Sequence, residues 1–156
     1  MKKIALLGAA HIHTPDFVRR LLARNDFNVV GVWDHDSERA HLNAQKFGCQ
    51  ICSSVDDLLK LDALDAVIVC AETNRHEQIL AKVAQAGKHC FVEKPLGMGK
   101  ADSERMDRAL TESGVLFQTG YFNRSRSAYR KIKQLIDSDS FGSISRIRLN
   151  NYHAKN

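Results

Sequence analysis

The sequence predicts an α/β fold: a doubly wound parallel sheet with helices on both faces, followed by the truncated start of a second α/β domain. Three observations predict it. Short apolar runs alternate with stretches whose apolar residues recur at helical spacing. The connections between them are a few residues long, which in a β-α-β-α series implies parallel strands with crossover helices. The most continuous run, Ala66-Val67-Ile68-Val69-Cys70-Ala71, shows no polar alternation, as a central strand buried on both faces requires.

Residues 3–7 form the first apolar run and end at Gly8. Thr14-Pro15-Asp16 then supplies a cap residue, a proline at the first helical position and an acid in the first turn. Phe17, Val18, Leu21 and Leu22 give that helix its apolar stripe. Residues 28–33 are β-branched and apolar and close at Asp34; residues 37–47 read as a surface helix with Ala40, Ala44 and Phe47 inward, stopped by Gly48. A short strand at 50–52 and a short helix at 55–59 precede the central strand at 66–71. Then come a helix at 76–86 ended by Gly87, a buried strand at 89–92, a helix at 101–112 ended near Gly114, and a sixth strand at 115–119.

The last stretch departs from this pattern. Residues 128–138 form an amphipathic helix with Tyr129, Ile132, Leu135 and Ile136 on its apolar side. Ile147 and Leu149 alternate with Arg146, Arg148 and Asn150, the signature of a strand with one wet face. We therefore expect residues 1–120 to form the first domain and 121–156 a linking helix and first strand of a second, with the remainder lying outside this chain.

The composition excludes several classes. With 44% hydrophobic and 26% charged residues the chain is neither disordered nor fibrous. Lysine and arginine exceed acids by 23 to 18, a net charge of +5 that mildly favours anionic partners and selects none. The basic residues Arg124, Arg126, Arg130, Lys131 and Lys133 are interleaved with apolar ones, as on an ordinary amphipathic helix, so no nucleic-acid partner is expected. No run approaches the roughly 20 apolar residues of a membrane span, and no membrane partner is expected. Met1-Lys2-Lys3 and the apolar residues after it read more simply as a first strand than as a signal peptide. Cys70 and Cys90 lie in or beside buried strands, which suits reduced thiols and a cytoplasmic location. Cys49-Gln-Ile-Cys52 has C-x-x-C spacing but no second pair to complete a zinc site.

In a sheet of this kind ligands bind outside the carboxyl ends of the strands. The first such loop reads Gly8-Ala9-Ala10-His11-Ile12-His13; against G-x-G-x-x-G only the first glycine stands, with Ala10 and His13 in the other two places. Asp34 ends the second strand 26 residues after Gly8, where a dinucleotide-binding fold places the acid that accepts from the ribose hydroxyls. A carboxylate there repels a 2′-phosphate, and His35 and Asp36 offer no arginine, so NAD is favoured over NADP. The blander role for Asp34 is to cap the helix at Ser37. Lys94, between Glu93 and Pro95, follows a buried strand and should project into the crevice, where it can hydrogen-bond a substrate oxygen and take part in acid-base chemistry. The candidate cofactor-binding residues are Gly8, Ala10, His11, Ile12, His13, Asp34, His35, Ala71, Glu72, Thr73, His76, Glu93 and Lys94.

Glu93-Lys94-Pro95-Leu96 after its strand, the helix start Thr73-Asn74-Arg75-His76-Glu77, and Ala86-Gly87-Lys88-His89 resemble the Gfo/Idh/MocA family of NAD(P)-dependent oxidoreductases. Gln118-x-Gly120-Tyr121-x-Asn123-Arg124, Ala128-Tyr129-Arg130, Leu135-Ile136-Asp137-Ser138 and Phe141-Gly142 continue the likeness, in order, over nearly the whole chain. The resemblance implies a Rossmann-type doubly wound parallel sheet that binds the dinucleotide, followed by an α/β domain that supplies most of the pocket for a small-molecule substrate. It implies hydride transfer between NAD and a hydroxyl-bearing carbon of a sugar, cyclitol or related metabolite. Lys94 then carries the catalytic role and contacts substrate and nicotinamide ribose, Glu93 lies near the nicotinamide, and the Lys94-Pro95 peptide is often cis. Asn123 and Arg124 fall on the substrate side. The usual acid-base histidine comes from the second domain, so the present stretch alone is expected to be inactive, and a homo-oligomer is expected through that domain.

Some residues depart from the family pattern. The first loop is poor in glycine, Asp16 adds a negative charge near the helix terminus that should hold phosphate, and Ala71-Glu72-Thr73 stands where Thr-Pro-Asn is usual. His11 and His13 can offset these by donating to phosphate. Relatives that use bound NAD for glycosidic cleavage, or that bind nucleotide without turnover, give one alternative. Another is a metal-dependent hydrolase: an H-x-H pair after a first strand also resembles the zinc site of TIM-barrel amidohydrolases. That barrel needs about 250 residues, and no third ligand follows in order, so no metal is expected.

Overall fold

The computed structural model describes residues 1–150. Its strands are β1 (Lys2–Leu7), β2 (Phe27–Trp33), β3 (Gln50–Ile51), β4 (Leu64–Val69), β5 (His89–Val92) and β6 (Phe117–Thr119). Its helices are α1 (Thr14–Leu22), α2 (Ser37–Phe47), α3 (Val55–Leu59), α4 (His76–Gln85), α5 (Lys100–Glu112) and α6 (Ser127–Asp137), with short 3-10 turns at Thr73–Arg75 and Phe122–Ser125. The strands form one sheet in the order β3-β2-β1-β4-β5-β6, and every pair is parallel. This is the Rossmann order, in which the chain reverses its direction of travel across the sheet between β1 and β4.

The residues that build the core follow from the strand pattern. Ile4, Ala5, Leu6 and Leu7 are all buried, so β1 is covered on both faces. On one face Leu7, Val67, Val69 and Val92 pack with Leu58, Leu80, Val83 and Leu110. On the other, Leu6, Val32 and Cys70 pack with Ala44, Phe17 and Phe47. Gly48 and Gly87 take left-handed backbone after α2 and α4, as the helix stops require.

Four expectations need correction. The helix cap is His13, not Thr14, and its side chain makes no capping bond; the Thr14 side chain turns inward and is buried. Leu22 is exposed, which leaves Phe17, Val18 and Leu21 as the inward residues of α1. Val115 and Leu116 stay outside β6, with the Leu116 amide donating to His89 Nδ1 and its carbonyl accepting from the Cys90 amide. Residues 144–150 form no strand, because a strand exists only by pairing and none of the described residues pairs with them. Residues 151–156 lie outside the described residues.

The chain divides into two units, Met1–Tyr121 and Phe122 onward. In the second, the turn Phe122–Ser125 packs on α6, and the Arg126 guanidinium lies 5.1 Å from the centre of the Phe122 ring.

Candidate functional site

The reversal between β1 and β4 sets the loop after β1 beside the loop after β4. Gly8 makes this approach possible. Its φ is +76°, and a Cβ there would stand 2.4 Å from the Ala71 Cα, so both the backbone conformation and the contact require glycine. The loop is fastened on both sides: the Gly8 amide donates to the Trp33 carbonyl at 2.7 Å and the His11 amide to the Cys70 carbonyl at 3.0 Å. The amides of Ala10 and Ile12 have no acceptor among the described residues, so they stand ready for an anionic ligand ahead of α1. Asp16 in the first turn of α1 is ion-paired with Arg19 and Arg20, which offsets the negative charge it brings there.

Asp34 closes β2 directly beside this loop. Its side chain is 0% exposed, and its four acceptor positions are filled. Ala9 N donates to Oδ2 at 2.7 Å, Asp36 N to Oδ1 at 2.9 Å, and Arg39 binds bidentately through Nε to Oδ2 at 3.1 Å and Nη2 to Oδ1 at 2.8 Å. Burial pushes the Asp34 carboxyl up, but the Arg39 guanidinium and the two amides outweigh it and hold it below the ordinary carboxylate range. Arg39 Nη2 also donates to Glu72 Oε1 at 2.9 Å, and His35 Nδ1 lies 3.3 Å from Asp34 and 3.4 Å from Glu72. Two acids and two basic groups thus converge at the ends of β2 and β4. The α2 cap is Asp36, which accepts from Glu38 N and Arg39 N, so Asp34 is free of the capping role.

Glu93, just past β5, is 3% exposed. Its Oε2 accepts from the Lys94 amide at 2.7 Å, its Oε1 lies 3.3 Å from His13 Nδ1, and its Oε2 lies 3.8 Å from His11 Nε2. Burial holds the His11 imidazole below its ordinary pKa; Glu93 pulls it up, while Lys94 and His13 press it down. The Lys94-Pro95 peptide is cis, and Lys94 is half-buried.

The other predicted residues take different positions. His76 is fully buried and ties two loops together, with Nδ1 2.9 Å from the Leu96 carbonyl and Nε2 3.1 Å from the Ala71 carbonyl. Both of its ring nitrogens are thus engaged with backbone carbonyls, so it braces the loops around the site. Ala71 is buried against Gly8, Thr73 opens the turn before α4, and the Ile12 side chain is exposed. Asn123 and Arg124 belong to the second unit, where with Tyr129, Arg130, Lys133 and Gln134 they line a groove of about 520 Å³. Burial pushes the Cys49 thiol up to about 11 and those of Cys70 and Cys90 up to about 12, which makes them poor nucleophiles.

Two features lay beyond the sequence reading. Arg39 is not an immediate neighbour of Asp34 in sequence; it reaches the carboxylate because it lies one helical turn past the α2 cap Asp36, a spacing the sequence does carry. The meeting of Glu93 with His11 and His13 depends on the long-range pairing of β1, β4 and β5, which no local pattern encodes.

The sequence matches the profile of the oxidoreductase family with NAD-binding Rossmann fold (GFO_IDH_MocA) over residues 2–121. It is 33% identical over 115 residues to scyllo-inositol 2-dehydrogenase (NAD(+)) of Bacillus subtilis, covering 73% of this chain and 34% of that protein. It is 28% identical over 141 residues to myo-inositol 2-dehydrogenase of Thermotoga maritima, covering 90% of this chain and 42% of that one. Among solved structures, the scyllo-inositol dehydrogenase of Lactobacillus casei with bound NAD(H) and scyllo-inositol superposes with a TM-score of 0.76 at 22% identity, over 93% of this chain and 43% of that one. A 3-ketoreductase from Actinomadura kijaniata in complex with NADP and TDP-benzene superposes with a TM-score of 0.73 at 24% identity, over 88% and 42% of the two chains. The chain spans about two fifths of the length of most of the relatives it matches.

Proposed function

This chain belongs to the Gfo/Idh/MocA oxidoreductase family, and from that premise we propose that it is the dinucleotide-binding part of an enzyme transferring a hydride between NAD and a hydroxyl-bearing carbon of a sugar, cyclitol or related small molecule. The observation that carries this reading is the convergence, at the carboxyl ends of the parallel strands, of the Gly8 loop with its unpartnered amides, the Asp34 carboxylate and the Glu93-Lys94 segment.

The residues present fit a dinucleotide. The amides of Ala10 and Ile12, with the N-terminus of α1 behind them, suit the pyrophosphate. His11 and His13 flank that position and can donate to it. Asp34 suits the ribose hydroxyls once Arg39 yields one carboxylate edge. NAD is favoured over NADP because Arg39 is already neutralised by Asp34 and Glu72, so a 2′-phosphate gains little from it and meets two carboxylates. Bound NAD would accept or return the hydride. Lys94 would hydrogen-bond the reacting oxygen, with Glu93 orienting it through their shared backbone.

The inositol dehydrogenases among the relatives support the polyol class of substrate. The test is to assay the full-length protein for NADH formation across a panel of inositols and sugars while titrating NAD and NADP by calorimetry. Steady NADH formation and tighter NAD binding are expected; sugar release without net NADH, or tighter NADP binding, contradicts the reading.

A further inference from the structure

We propose that His11, His13 and Glu93 form a binding site for one borderline divalent cation of the Zn²⁺ class, with a coordination position left open for an oxygen ligand. The proposal is independent of hydride transfer and rests on the ligand geometry.

Metal bonds of about 2.0–2.2 Å place the donor atoms of a tetrahedral site about 3.3–3.6 Å apart. His13 Nδ1 and Glu93 Oε1 stand 3.3 Å apart, at that spacing already. His11 Nε2 stands 3.8 Å from the other carboxylate oxygen, Oε2, and one donor atom from each of the three residues lies within 4.8 Å of the other two, so closing the site takes a turn of the His11 side chain. Two imidazoles and one carboxylate are the donor set of zinc sites that keep a fourth position for water or substrate. Imidazole nitrogens select zinc-like cations over magnesium or calcium, which take oxygen ligands.

The surroundings hold the carboxylate in place. Glu93 is buried, and within ion-pair distance its titratable partners among the described residues are these two imidazoles. The Lys94 amide fixes Oε2 at 2.7 Å, an outer contact of the kind that orients metal ligands. Gly120 backs the group from the other side, since a Cβ there would stand 3.0 Å from Oε2. The His11 and His13 rings meet edge to face at 4.9 Å, which keeps the two imidazoles side by side. Binding replaces the proton shared between His13 and Glu93. It also moves the His11 proton to Nδ1, which sacrifices only a 3.3 Å contact from the His13 amide.

Zn²⁺ titrated calorimetrically into the metal-free and nucleotide-free protein, with Co²⁺ as an optical probe, tests this. One equivalent should bind, and Co²⁺ should show tetrahedral visible absorption without a thiolate charge-transfer band. His13→Ala and Glu93→Gln should each weaken binding by more than the roughly 10–100-fold seen when an outer-shell partner is lost. Cys49→Ser should leave it unchanged, and Mg²⁺ should not compete. His13 is 43% exposed, so His13→Ala keeps the fold and carries the decision if Glu93→Gln unfolds. No saturable binding, retained affinity in His13→Ala, competition by Mg²⁺, or loss of binding in Cys49→Ser overturns the proposal.

Discussion

Arg39 clasps Asp34 through two parallel hydrogen bonds, Nη2 to Oδ1 at 2.8 Å and Nε to Oδ2 at 3.1 Å. The acid that ends β2 is therefore held in place by its own helix, and that pairing has consequences for both nucleotide choice and stability.

Arg39→Ala should widen the preference for NAD. Without the guanidinium, Asp34 and Glu72 present uncompensated charge to a 2′-phosphate, while NAD finds a freer carboxylate. Like charges brought together without compensation cost up to several kcal/mol, so NADP should weaken by roughly tenfold or more while NAD does not weaken. Calorimetric titration of both nucleotides checks this; equal weakening would count against the assigned geometry.

Asp34 should also govern acid stability. Its folded carboxyl titrates below the ordinary 3.8, so its contribution is present above that value and fades as pH falls through the folded pKa. Asp34→Asn should lower the melting temperature at neutral pH and flatten its decline in acid. Thermal melts between about pH 6 and pH 2 compare the two curves; parallel curves would place the acid-sensitive group elsewhere.

Gly8→Ala should destabilise the first unit and abolish nucleotide binding. The left-handed backbone alone costs an L-residue about 1–2 kcal/mol, and the overlap with Ala71 adds to it. A lower urea midpoint at unchanged slope is expected, and a midpoint equal to that of the parent protein would refute the steric argument.

In the full-length enzyme, Lys94→Ala should lower kcat with KM less affected, because a hydrogen bond to the reacting oxygen strengthens as charge shifts. General acid-base groups contribute roughly 10²–10⁴-fold. Lys94→Arg should fail to restore activity, since the guanidinium is larger and does not deprotonate near neutrality. Steady-state kinetics with activity within a few-fold of the parent would move the chemistry to another residue.

The fold was legible because each strand carries its burial in its own composition. Val67, Ile68 and Val69 announce a central strand, and Gly48 and Gly87 mark helix ends by a backbone need no other residue meets as well. The strand ends located Gly8, Asp34 and Lys94 for the same reason. The strand expected around Ile147 was not legible, since alternation reports a half-buried face only where a neighbouring strand exists to cover it. The role of His76 was hidden too: its bonds run to the carbonyls of Ala71 and Leu96, and side-chain identity carries no information about such partners.

The central place of β1 also shapes how the chain acquires its structure during synthesis. The strand precedes the other five in the chain, yet one of its two neighbours is β4, paired through Leu6 with Ile68 and Leu7 with Val69, some sixty residues later. Until β4 arrives, Ile4–Leu7 is an apolar edge with unpaired backbone, and loop-closure entropy delays its capture. The nascent chain passes through a window in which an apolar strand edge is uncovered, which makes this interval the point where a chaperone would act and where misassembly between neighbouring chains would begin.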